Sequence, residues 1–458
     1  MKKKSRVLIL GGGPAGLSAA AYLCDKGYRV CLVEGREHLG GRLCAPALDG
    51  GPPVDAVPPI LWGGHQETRT LFTLLGSQQR VHFPHSLHHT FALPAGRVVA
   101  LPRLWGPASV RGPATIAGFS GISMRDRMRL MNVLERFWEQ DLSLPTDLDE
   151  RPVTELFDLT SQSESAVRQV WTPLSRFLLG DDPSKVSAAL GAGSLRALLF
   201  GSRRNNAIGL LTGGMAETLL HPAEAHLRRS GADIRLGKPA TRLLTQKDQV
   251  MGVTLQGGEP LSADWYLAAL GPDALAALLP DRWLAKYASF QSLTEWDWSP
   301  RVTLRLESRG KGTKPWLRLL ATGSYDWAVG IGGGKTQWPT MEIWLIAAGQ
   351  SALLKRSDAD LREAAVKDLQ GLVPSCQPDH IQQHRVFRSE RATPALRPGT
   401  RRLRATPQSP VANLFVAGAW TDTGLPASVE SAVLSGRRCA EAVEEVHSSR
   451  VDKAPGAH

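Results

Sequence analysis

Three glycines and one acid near the start of the chain have the spacing to hold a dinucleotide. Gly11, Gly13 and Gly16 stand in a G-x-G-x-x-G run with Pro14 and Ala15 between the last two, and Glu34 follows eighteen residues after Gly16. Each position has a physical task. Gly11 makes a tight turn, Gly13 lets a pyrophosphate approach the backbone, and Gly16 lets a helix lie close to a strand. Anions are favoured at a helix N-terminus by its unpaired N–H groups and its dipole. A carboxylate at Glu34 can hold ribose hydroxyls of an adenosine.

The elements needed to position these residues are present. Arg6-Val-Leu-Ile-Leu10 is an apolar run that predicts the first strand. Leu17, Ala20, Ala21 and Cys24 recur at helical spacing, and Gly27 just after Lys26 predicts a left-handed stop. Tyr28 to Val33 predicts the second strand, closing a βαβ unit. A few residues later the chain reads Leu39-Gly40-Gly41-Arg42. Paired glycines followed by arginine, just past the ribose-binding acid, resemble the second dinucleotide signature of FAD oxidoreductases. The resemblance implies FAD as the cofactor, with Arg36, Gly40, Gly41 and Arg42 among its contacts.

The chain has 458 residues, ample for a large core and two domains. Its formal charge of +11 implies attraction to anionic surfaces. No helix-turn-helix, zinc or RNA-binding signature accompanies the charge, which argues against nucleic acid and leaves the anionic face of a membrane. Cys24, Cys31, Cys44, Cys376 and Cys439 are scattered with no C-x-x-C pair, as expected of reduced cysteines in a cytoplasmic protein without a metal site. Met1-Lys-Lys-Lys4 and the apolar run after it are too short for a signal peptide and feed directly into the glycines. No run of eighteen uncharged apolar residues predicts a membrane span.

Further along, residues 43–66 are rich in glycine and proline and predict loop and short strands. Leu71, Leu74 and Leu75 predict a brief helix before Gly76. Residues 81–100 predict sheet with a hairpin turn at Pro94-Ala-Gly96, and 101–124 a segment broken by proline and glycine. Leu130, Val133, Leu134 and Phe137 form the apolar stripe of a helix, with Arg125, Arg127, Arg129 and Arg136 largely off it. This is a surface helix or an interfacial one seated on anionic lipid, with Trp105 and Trp138 near the headgroups. Residues 141–200 predict short helices around a Trp171-Thr-Pro-Leu turn. Gly213-Gly-Met215 precedes a helix through Leu219, Ala223 and Leu227 that Gly231 ends. Strands are predicted at 234–236, 250–255 and 265–270, with a tight turn at Gly257-Gly258 between the last two. Gly330-Ile-Gly-Gly-Gly-Lys335 lacks phosphate-loop spacing and predicts a hairpin. Asn413 to Gly418 predicts a strand stopping on glycine. A helix then carries Val429, Ala432, Val433, Gly436, Ala440 and Val443 on one stripe, making a second dipole-rich site. The polar residues 447–458 predict a disordered tail.

Over most of its length the chain resembles the flavin amine oxidase and phytoene desaturase superfamily. The N-terminal βαβ, the Leu-Gly-Gly-Arg turn and the pattern from Ala417-Gly418 through Pro426 to Glu430-Ser-Ala-Val-Leu-Ser-Gly436 carry this. Arg388-Ser-Glu-Arg-Ala-Thr393, Arg397-Pro398 and Trp420-Thr-Asp-Thr-Gly-Leu-Pro-Ala427, with Trp171 to Leu174, resemble the hydroxysqualene dehydroxylase family more narrowly. The resemblance implies an α/β fold. A discontinuous, Rossmann-like FAD-binding domain of the Gly-Gly-Arg (GR2) type would span 1–75, 205–275 and 391–446. An inserted α+β substrate-binding domain would span 76–204 and 276–390. Gly418, Ala419, Asp422, Pro426 and Ala427 would meet the cofactor. Two positions depart from the pattern: Ala419 stands where the family has Asp, and Asp55-Ala-Val-Pro-Pro59 replaces Asp-Asn-Gly-Gln-His.

By this resemblance the chain reduces hydroxysqualene to squalene in hopanoid and squalene synthesis, on a long-chain isoprenoid substrate at the cytoplasmic membrane face. Asp422, Asp55 and His65 are the candidate acids for the departing hydroxyl. Asp422 can instead cap the final helix or its loop, Asp55 can orient backbone, and His65 can be solvated. A carotenoid (phytoene-type) desaturase or a flavin amine oxidase is the alternative, and a non-catalytic lipid-binding relative the third reading. An amine oxidase would need an aromatic cage near the flavin, which Trp420 alone does not make.

Overall fold

In the computed structural model, which describes residues 5–47, 51–138, 147–308, 314–332, 341–373 and 378–452, β1 (Arg6–Leu10) is the middle strand of a five-stranded parallel sheet. It pairs with β2 (Arg29–Val33) on one side and Trp265–Ala268 on the other; Asp233–Arg235 and Leu414–Val416 form the edges. Both faces are covered, so the inner strands are apolar along almost their whole length rather than alternating. Val7 and Ile9 pack under α1 (Pro14–Asp25) and the final helix, Val429–Asp452. Leu8 and Leu10 pack toward the antiparallel sheet of Ala240–Gln246, Gln249–Leu255 and Pro260–Leu261.

A second, seven-stranded sheet runs in the order Ile381–Pro394, Trp298–Ser308, Met341–Ala348, Trp327–Ile331, Trp316–Leu320, Thr90–Ala92, Val98–Ala100. One face, with Trp327, Val329, Trp344 and Ile346, packs against helices from residues 108–200. The other, with Ile343, Leu345 and Ala347, is covered by the helix Asp358–Leu369. A small sheet of Ile60–Trp62, Ile208–Leu211 and Val81–His82 also forms. The architecture is the expected Rossmann-like α/β unit with a substrate-side α+β insert.

Several local expectations change. Residues 108–118 form a helix that tolerates Pro113 in its interior, where proline and glycine predict a broken segment. Trp171-Thr-Pro-Leu is not a turn: Pro173 lies in the helix Thr172–Leu179, which runs on directly from a π-helical turn at Val167–Trp171. The Gly257-Gly258 turn leads back to Pro260–Leu261 rather than to 265–270, and Val81–His82 joins the small sheet, not the large one. The final helix continues through 447–452, against the predicted tail. His447 lies edge-on to Tyr28 and Trp265, and Arg450 stacks 4.3 Å from the Trp265 ring, which ties the helix end to the parallel sheet. Residues 453–458, Cys376 and residues 333–335 of the glycine segment lie outside the described residues.

Candidate functional site

The chain leaves β1 through three glycines and enters α1 at Pro14, whose absent N–H is one the first turn could not pair anyway. Gly11 takes φ +104°, and a Cβ there would lie 2.5 Å from the Ala269 carbonyl oxygen. A Cβ on Gly16 would lie 1.9 Å from the Gly11 carbonyl oxygen. Both are packing constraints. Gly13 differs: the nearest atom to its Cβ position is the Gly41 Cα, 4.0 Å away, so it borders open space.

The second glycine turn closes on the first. The Gly40 N–H donates to the Gly12 carbonyl at 2.9 Å, and the Arg36 guanidinium donates to the Gly41 carbonyl at 2.8 Å. Glu34 braces both turns, accepting from the Gly12 N–H at 2.7 Å and the Arg36 N–H at 2.9 Å. Gly11, Gly13, Pro14, Ala15, Glu34, Arg36, Gly41 and Arg42 all line one cavity of about 660 Å³, whereas Gly16 and Gly40 lie behind the lining.

From the C-terminal motif, Gly418, Ala419 and Ala427 reach the same cavity. The Gly418 N–H donates to Ser435 Oγ at 2.9 Å, and the Ser431 hydroxyl donates to the Ala419 carbonyl at 3.3 Å. Pro426 and Asp422 do not line it. Asp422 is exposed, held through its backbone by Ala405 and Arg438. It does not cap the final helix either; Ser428 Oγ accepts from the Ser431 N–H there at 3.2 Å. Trp420 turns away, donating to the Leu270 carbonyl at 2.9 Å and lining a separate cavity.

The other two candidate acids also change meaning. Asp55 lies off the cavity lining, and its Oδ2 accepts from the Met215 N–H at 2.7 Å. It therefore holds the Gly213-Gly214 turn. Burial raises it to about 6 against those backbone donors. His65 does line the cavity and is enclosed rather than solvated; burial lowers it to about 4, so it is a neutral ring near pH 7. Its Nδ1 has no partner among the described residues.

The far wall was not legible as a motif. Ile60, Trp62, Phe177, Leu178, Ile208, Trp327 and Ile346 give it an apolar surface, and Phe177 meets Trp327 edge-on at 5.1 Å. Arg42 stacks 4.8 Å from the Trp298 ring. Beside it lies Arg301, on the strand Trp298–Ser308, and burial lowers both arginines to about 10. Taking a cation out of water costs several kcal/mol unless a counter-charge offsets it. The other lining cations have partners: Arg176 bridges Asp182 and Asp326, Arg391 bridges Asp273, and Arg36 holds Gly41. The lining carboxylates, Glu34 and Asp273, both stand on the nucleotide side.

A Gly13 that borders open space, a helix N-terminus and an enclosed Arg42 form a cradle that fits a diphosphate. A family model for flavin containing amine oxidoreductases matches residues 14–444. The chain is 25% identical to a 15-cis-phytoene desaturase from Synechococcus elongatus, over 96% of this chain and 95% of that protein. It is 23% identical to a zeta-carotene desaturase from Synechocystis, over 96% and 97%. An oxidoreductase structure from Methanosarcina mazei superposes with a TM-score of 0.72 at 16% identity, covering 96% and 100%. The cofactor is FAD.

Two outcomes follow. Gly13→Val should fold with wild-type stability yet lose FAD, because its side chain would fill space meant for the diphosphate. Gly16→Val should unfold at markedly lower urea, since its Cβ meets backbone; visible absorbance and urea midpoints together separate the two. For Asp55, the folded carboxyl sits at about 6 against an ordinary 3.8, so its contribution to stability is present below 3.8 and lost as pH rises through 6. Asp55→Asn should flatten that decline while keeping the Met215 bond, whereas Asp55→Ala should cost about 1–3 kcal/mol for the unpaired N–H. Urea melts from pH 4 to 7 check this.

Proposed function

We propose that this chain, which belongs to the flavin containing amine oxidoreductase family, acts on a long-chain isoprenoid and reductively removes the hydroxyl of hydroxysqualene to give squalene. The observation that carries the substrate class is the apolar aromatic wall that stands opposite the nucleotide side and whose charged lining groups are arginines and not carboxylates. A protonated amine would meet several arginines there and no carboxylate on the apolar wall, which speaks against an amine substrate. A hydrocarbon chain brings no like charge to those arginines and is favoured by the apolar wall at roughly 25 cal/mol per Å² buried.

The reaction takes R–OH, two electrons and two protons to R–H and water. Bound FAD supplies hydride-transfer chemistry. The protein's share is to hold the chain, exclude water and fix the alcohol. Trp62, Phe177, Trp327 and Ile346 serve the first two tasks. Neutral His65 can hydrogen-bond the alcohol oxygen and so orient its C–O bond, but a ring lowered to about 4 is not a store of protons at neutral pH. The loop Trp420 to Ala427 resembles the dehydroxylases and favours this direction of electron flow. The desaturase names of the relatives favour the second reading, oxidation of a phytoene-like polyene on the same wall.

The isoprenoid substrate and the +11 charge also support docking on an anionic membrane. Met124, Met128 and Met131 recur along one face of the helix Met124–Trp138, and Met124 and Met128 are 62% and 63% exposed. On and before the adjacent helix, Val110 and Trp105 are exposed too, Trp105 at 80% with Arg203 stacked on it at 4.4 Å. Arg127 and Arg129 instead bond the Ala117 and Ser161 carbonyls. Trp138 and the stripe beyond Leu130 have side chains outside the described residues, and no described helix is long and apolar enough to cross a membrane.

Chemically reduced enzyme incubated anaerobically with hydroxysqualene should yield squalene as the flavin spectrum returns to its oxidised form. If hydroxysqualene is untouched while oxidised enzyme is bleached by phytoene, the reductive reading fails and the desaturase reading stands. On flotation, liposomes with anionic lipid should retain the protein and release it as salt rises, since screening acts over about 8 Å at physiological strength. Met128→Asp combined with Trp105→Ala should weaken retention several-fold, and equal recovery on neutral liposomes would remove the electrostatic part of the proposal.

A further inference from the structure

We propose that Arg301 holds the negative charge that reduction places on the bound cofactor, and so sets the midpoint potential of the FAD. Arg301 stands opposite Ala348 on one neighbouring strand and Ser389 on the other, and all three line the cavity. Its guanidinium donates no hydrogen bond and pairs with no carboxylate among the described residues; the charge that acts on it most is a second cation, Arg42. Every other lining arginine has a task within the protein. Arg36 holds a turn, Arg176 and Arg391 are in ion pairs, and Arg42 lies on Trp298 within the influence of Asp273.

A cation left without a counter-charge in an enclosed site is a charge kept for a ligand. The permanent anion of the cofactor, its diphosphate, is already provided for by Gly13, the α1 N-terminus and the Gly-Gly-Arg turn. Arg301 comes from the other sheet, next to Arg42 but on none of the elements that build that cradle. Two-electron reduction with uptake of one proton leaves the ring system one negative charge richer than in the oxidised state. A fixed cation facing the cavity stabilises that state over the neutral one. The inference rests on the FAD and not on the identity of the substrate.

FAD-loaded wild type, Arg301→Met, Arg301→Gln and Arg301→Lys are titrated anaerobically with xanthine and xanthine oxidase against reference dyes. The affinity of each apoprotein for oxidised FAD is measured alongside. The neutral variants should bind oxidised FAD within about threefold of wild type but hold the reduced form about tenfold less tightly, a fall of ~30 mV for a two-electron couple. Arg301→Lys should retain most of the wild-type potential. An unchanged potential in both neutral variants overturns the proposal. So does weaker binding of oxidised FAD at constant potential, which would assign Arg301 to the diphosphate. Loss of the fold in both neutral variants would make it a structural residue and overturn the proposal as well.

Discussion

Backbone must touch backbone in this protein wherever the cofactor is to be held. Gly16 lies against the Gly11 carbonyl, Gly41 meets Gly13 across the gap between two turns, and Gly436 of the final helix sits over the Ala15 carbonyl, where a Cβ would come within 2.2 Å. These contacts set how closely α1 lies on the parallel sheet and how closely the final helix lies on α1. Both helices begin at the cavity, so the same contacts aim two helix N-termini into it. A side chain at Gly16 or Gly436 would push the helices apart, and overpacking of that kind costs about 1–3 kcal/mol even where the fold survives. The cradle is therefore a packing result before it is a binding result.

The cavity's charge follows from which sheet supplies each wall. The nucleotide side takes Gly11, Gly13, Gly41, Glu34 and Arg42 from the first forty-two residues and Asp273 from the short helix Pro272–Ala276 after Trp265–Ala268. The opposite wall is built on the seven-stranded sheet, where Trp298, Arg301, Trp327 and Ile346 line the cavity and a register shift between Ser299 and Arg301 separates the first two. Such a division lets one half of the site stay constant in chemistry while the other varies by single substitutions on a rigid sheet.

This division also explains what could be read from the sequence. Gly11, Gly13, Gly16, Glu34 and Arg42 are close together along the chain, and their spacing alone implies strand, turn and helix. Arg301 is one arginine among many, and nothing local marks it; it becomes distinctive only when its strand, Met341–Ala348 and Ile381–Pro394 are side by side. Asp422 misled for the opposite reason: it is an acid near a motif, yet the loop after Gly418 turns it to solvent. Asp55 takes the backbone-orienting alternative that its sequence position also allowed, with Oδ2 on the Met215 N–H. The tail misled because its polarity is real on the outward side. His447 and Arg450 face Trp265, and that contact is with a residue far away in sequence.

The arginines on the lining bear on what the protein can accept as well as on what it binds. Glu34 is already engaged by Gly12 and Arg36, and Asp273 by Arg391, so neither carboxylate is free to greet a cation at the apolar wall. To accept an ammonium there the site would have to desolvate it beside Arg301 with no compensating charge, at a cost that aromatic faces worth about 0.5–2 kcal/mol each could not offset. A neutral chain brings no second positive charge to that wall. Under the proposed reading, the place of the uncompensated charge decides which ligand charges the wall tolerates.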